Sequence, residues 1–116
     1  MKLLYCWRCR AEVPMMDETE FDEVYSAYTS AIRKMKTYRA SSHATIAQAA
    51  AKFHPPVRAL YRGLAAKAGM QGPPVQLDHL MKHRLAAYGP PCTKCGLPLR
   101  TPEAKLCAAC GAKRAA

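Results

Sequence analysis

The sequence predicts a mainly α fold: a small helical domain of about four helices, with a cysteine module at each end. Three observations predict it. Apolar residues recur at three- and four-residue spacing in separate runs between Asp17 and Tyr88. Pro- and Gly-rich breaks at His54-Pro55-Pro56, Gly69 to Pro74 and Gly89-Pro90-Pro91 punctuate those runs. All six cysteines fall in Cys-x-x-Cys pairs, one near the start and two near the end. The expected layout is an N-terminal knuckle at 1–16, a helical body at 17–89 and a cysteine module at 90–116.

Leu3-Leu4-Tyr5 reads as a short strand leading into Cys6-Trp7-Arg8-Cys9, a knuckle-like pair followed by Arg10 rather than Gly. Thiol–disulfide exchange also uses this spacing, but requires the pair at a strand end that opens a helix. Pro14 and the late start of helical periodicity argue against it. Asp17-Glu18-Thr19-Glu20 reads as a capping box, and Phe21, Val24, Tyr25, Tyr28, Ala31, Ile32, Met35 and Tyr38 form one apolar stripe. Ser41-Ser42 interrupts, and Ser42 is the expected cap of a second helix, His43 to about Phe53. Pro56 starts a third, Val57 to Ala68, with Gly69 as its stop. A fourth is expected from about Val75 to Tyr88, with Leu77, Leu80, Met81, Leu85 and Tyr88 inward.

Cys92, Cys95, Cys107 and Cys110 form two pairs across an eleven-residue gap, each pair followed by a Gly. Four thiolates at this spacing converge tetrahedrally on one Zn²⁺. Gly96 and Gly111 can take φ > 0 and fold the backbone under the sulfurs. Leu97, Leu99 and Leu106 supply a short apolar hairpin, and Thr101-Pro102-Glu103 its turn. Two disulfides would be the alternative use of these thiols.

The stretch resembles the short zinc-ribbon module often found at the ends of bacterial and archaeal proteins. The matching parts are Cys92-x-x-Cys95-Gly96, Leu99, Ala104-Lys105-Leu106 and Cys107-x-x-Cys110-Gly111, about a sixth of the chain. Leu106 stands where the family often has an aromatic. The resemblance implies a metal-binding module and little about activity, because such ribbons are attached to many unrelated proteins.

His79 and His83 stand four apart on the expected fourth helix, which would place both imidazoles on one face. Leu80 occupies the position of the general base in a His-Glu-x-x-His protease, so that chemistry is not expected. With Cys6 and Cys9 they would make a second zinc site. Other completions are His43 or His54, a zinc-bridged dimer, or no metal at that pair. The expected cofactor count is therefore one Zn²⁺ per chain, or two if the N-terminal pair is completed.

The formal charge is +10, and a four-cysteine zinc site brings it to about +8. Six of the eight acids lie between Glu12 and Glu23, and none falls from Val24 to Leu77. Arg33, Lys34, Lys36, Arg39, Arg58, Arg62 and Lys67 are the expected phosphate contacts of a nucleic-acid-binding surface. Lys94, Arg100 and Lys105 could add to them. The cations at the end of the first helix also suit its dipole. The competing reading is an adaptor whose basic helices dock an acidic protein. No nucleophile–base pair, phosphate loop or dinucleotide fingerprint is present, so no enzyme and no small-molecule substrate are expected. No apolar run reaches membrane-spanning length, and paired thiols used for metal fit a reducing cytoplasm.

Overall fold

The structure is a computed structural model that describes residues 1–114. It corrects the expected mainly α, four-helix body. Among the described residues the fold is mixed, with three helices and a two-stranded antiparallel sheet, about 47% helical. In order these are β1 (Lys2–Cys6), β2 (Ala11–Met15), α1 (Glu18–Ser42), α2 (Ile46–Lys67) and the short α3 (Leu77–Leu80), followed by one 3₁₀ turn at Leu85–Ala87.

β1 is the expected strand; β2 is not expected from the sequence. The hairpin register runs from Lys2↔Met15 to Cys6↔Ala11 and places Pro14 opposite Leu3. A two-stranded ribbon has only edges, and an edge tolerates a residue without an N–H. Cys6-Trp7-Arg8-Cys9 forms its turn, so the pair joins two strands and does not open a helix.

α1 begins as predicted. Asp17 accepts from the Glu20 N–H at 2.8 Å, and Glu20 accepts from the Asp17 N–H at 3.0 Å. Val24, Ala31 and Met35 are its buried residues. The last residues of the helix are Ser41 and Ser42, where the sequence places the interruption, and both hydroxyls bond back to carbonyls of Thr37 or Tyr38. It ends at His43, whose φ of 56° turns the chain and whose N–H closes on the Arg39 carbonyl. α2 is capped three residues past Ser42, by Thr45 with Gln48.

The second and third expected helices are one. α2 runs through Pro55 and Pro56. An interior Pro costs about 3 kcal/mol through its missing bond and ring clash. Against that, Ala49, Phe53, Val57, Tyr61 and Ala65 recur every four residues across the break, and all but half-buried Phe53 are buried. Burying Val57 and Tyr61 contributes about 2–3 kcal/mol each. Both prolines face solvent, where carbonyls left without a partner meet water. α1 and α2, joined by three residues, pack as an antiparallel hairpin.

The expected fourth helix is only α3. Beyond it the chain runs extended beside the end of the β-hairpin. Met16 N–H bonds the His83 carbonyl at 2.8 Å, and Leu85 N–H bonds the Met16 carbonyl at 2.9 Å. The core joins these parts: Met16, Val24, Ala31, Val57, Tyr61, Leu77 and Leu80 form one buried cluster. Tyr61 Oη donates to the Pro14 carbonyl at 2.6 Å and fastens α2 to β2. Cys6, Val13, Met15 and Tyr88 form a second cluster under the knuckle. No described helix is long and apolar enough to cross a membrane.

Candidate metal centres

All three Cys-x-x-Cys pairs close the same turn. The N–H of the residue after each pair bonds the carbonyl of its first cysteine: Arg10 to Cys6 at 2.7 Å, Gly96 to Cys92 at 2.9 Å, Gly111 to Cys107 at 2.8 Å. Each of these residues has positive φ, 55°, 78° and 79° in that order. Gly96 and Gly111 adopt it without strain. Arg10 carries a Cβ there, which costs about 1–2 kcal/mol. Arg10→Gly is therefore expected to stabilise the zinc-loaded protein by up to about 1 kcal/mol, after allowing for the looser unfolded chain. A urea midpoint that stays level or falls would count against this strain.

The C-terminal cluster assembles from two such turns. Cys92 N–H bonds the Leu97 carbonyl and Cys107 N–H bonds the Ala112 carbonyl, both at 2.8 Å. Cys92 Sγ lies 3.7 Å from Cys110 Sγ, and Cys95 Sγ lies 3.6 Å from Cys107 Sγ. All four sulfurs lie within 4.8 Å of one another. A metal–sulfur bond of about 2.3 Å gives a tetrahedral edge of about 3.8 Å; a disulfide would need about 2.05 Å. The donor set fits a four-coordinate ion. The Cys92 thiol is lowered to about 6, chiefly by the backbone N–H of Cys95 and then that of Lys94, which favours the ligating thiolate. Of the expected apolar hairpin only Leu99 is buried; Leu97 is half-buried and Leu106 is exposed. The module is pinned to the body where Gly89 N–H bonds the Leu99 carbonyl at 2.8 Å. A side chain at Gly89 would collide with the Thr101 carbonyl.

The N-terminal pair gains one histidine, not two. Cys6, Cys9 and His83 form the second cluster that can hold a metal. His83 Nε2 is 3.3 Å from Cys9 Sγ, and His83 and Cys6 are fully buried. Burial, then the neighbouring His79 and Arg8, lowers His83 to about 4, so the imidazole is neutral, its ligating form. Burial raises Cys9 to about 11, with Cys6 adding to it; a bound cation would oppose that. Tyr88 Oη donates to Cys6 Sγ at 3.5 Å.

His79 is not among these donors, which corrects the four-ligand site Cys6, Cys9, His79 and His83. The expected helical spacing fails because α3 ends at Leu80, and Met16 pairing sets His83 instead. His43 caps α1 and His54 lies within α2; neither joins the cluster.

The seven expected basic contacts separate into two groups. Arg33, Lys34, Lys36 and Arg39 are exposed on the last half of α1. Exposed Arg62 and Lys67, with half-buried Arg58, lie on the last half of α2, which the antiparallel pairing sets beside the acidic start of α1. Arg33 and Lys34 border a shallow groove floored by Tyr38 and Phe53. Those rings meet edge-on at 5.7 Å, and Lys52 Nζ sits 4.4 Å over Tyr38. The sequence counts Tyr38 among the core residues of the first helix, and Phe53 only as the end of the expected second. Their meeting depends on the α1–α2 register, which no local spacing encodes.

Comparison with protein-family models, curated proteins and solved structures finds no match to this chain.

Proposed function

We propose that this chain is a small zinc-binding, nucleic-acid-binding protein whose metal centres are structural. Zinc is the ion that four cysteines in a closed tetrahedral set favour, and thiolate with imidazole suits it at the second centre. The zinc ribbon is the reading that this donor set and its paired glycine turns support. The role is one of binding, not catalysis.

The observation that carries the nucleic-acid reading is the α-hairpin tip. Arg33, Lys34, Lys36 and Arg39 are exposed there, and Arg33 and Lys34 border the groove of Tyr38 and Phe53, with Lys52 over the Tyr38 ring. Among the described residues none of these cations is in an ion pair; the only two pairs are Met1–Glu20 and Arg84–Glu18. Unpaired cations next to aromatic faces suit phosphates and bases together.

The test is an anisotropy titration of the zinc-loaded protein with random DNA and RNA at two salt concentrations. Replacing Arg33, Lys34, Lys36 and Arg39 by Gln is expected to lower affinity and to flatten the salt slope by about 3.6 units on duplex DNA. A wild-type protein that binds neither nucleic acid at low salt would remove the reading.

A further inference from the structure

The N-terminal knuckle and the C-terminal module face each other across a cleft of about 580 Å³. Arg8 and Arg10 enter it from the knuckle and Arg100 from the module. Trp7, the only tryptophan, organises two of them. Arg8 Cζ stands 4.1 Å from the indole centroid and Arg100 Cζ 4.2 Å from it. Tyr5 and Pro98 are further walls.

Stacking on an indole occupies a guanidinium's flat face and leaves its N–H edge for an oxygen acceptor. Two guanidiniums on one ring also repel, and an anion bridging their edges relieves that repulsion. Among the described residues that line the cleft there is no carboxylate. Among the described residues none of the three arginines is in an ion pair. The buried Cys107 also borders the cleft, but its sulfur belongs to the metal cluster. The volume is that of a small-ligand site. It is large enough for an unpaired nucleotide.

We infer that this cleft binds the phosphodiester backbone of a single-stranded nucleic acid. Arg8 and Arg100 hold a phosphate, Arg10 its neighbour, and the Tyr5 ring takes an adjacent base. The inference rests on the nucleic-acid reading above but assigns a different surface, one that spans both metal centres.

The sole indole makes the test specific. Zinc-loaded full-length protein is titrated with a labelled oligothymidylate and with a duplex, following label anisotropy and Trp7 emission together. The expected result is a Trp7 change that saturates with the single strand and is absent with the duplex. Arg8→Gln with Arg100→Gln is expected to weaken single-strand binding about tenfold or more and to flatten its salt slope by about 1.4 units. The α-hairpin tip variant is expected to keep the Trp7 response. Anisotropy that rises while Trp7 emission stays constant would overturn the cleft and leave the nucleic-acid reading standing. No anisotropy change at low salt would end both. If the double arginine variant loses zinc yet binds the strand normally, these arginines serve the thiolates and the inference fails.

Discussion

Removing the bound metal with a chelator is expected to erase order from residues 90–114 while the α1–α2 hairpin keeps its helicity. The physical reason is the size of the module's core. Among the described residues of the module, Cys92, Leu99 and Cys107 are the only buried hydrophobics, and two of the three are candidate ligands. Burying one Leu contributes about 2 kcal/mol, whereas ordering each residue costs about 1–2 kcal/mol in backbone entropy. Structural zinc contributes about 10–16 kcal/mol. The body has its own seven-residue buried cluster and two capped helices. Proton–nitrogen correlation spectra with and without chelator check this. The Gly96 and Gly111 amides should lose their dispersed positions and regain them with one zinc per module. Dispersed positions for both in metal-free protein would refute the structural role.

His83→Ala is expected to take zinc content from two to one per chain and to cost the body about 3–5 kcal/mol. The side chain is fully buried, so its loss leaves a cavity as well as an incomplete donor set. His79→Ala is the control. It is expected to keep both ions, because His79 lies outside the cluster. Elemental analysis and urea unfolding read the two effects separately. Two zincs retained by His83→Ala would exclude this histidine as a ligand.

What could be read from the sequence is what lies within a few residues of itself. The Asp17–Glu20 cap spans three residues, and each cysteine turn spans four, so both are written in local spacing. The cap of α2 was equally local, in Thr45 and Gln48, but Ser42 offered a competing start. The prolines of α2 looked decisive because local rules forbid them. They are overruled by a buried stripe whose partner is another helix. The extended run after α3 depends on Met16 pairing with residues nearly seventy positions away, whereas β2 pairs with β1 across the Cys6–Cys9 turn. His83 was identified as a ligand on helical spacing with His79, but the observed position has a different cause. The cleft at Trp7 joins residues more than ninety positions apart, Trp7 and Arg100, and no spacing argument reaches that far.

Cys9 and His83 meet across 74 positions of chain. During synthesis the two long helices emerge between them, and their pairing needs only a three-residue connection. Short-range contacts form early, and closing so large a ring comes last. The nascent Cys6–Cys9 turn therefore has two thiols and no imidazole to complete their grip until translation has passed position 83.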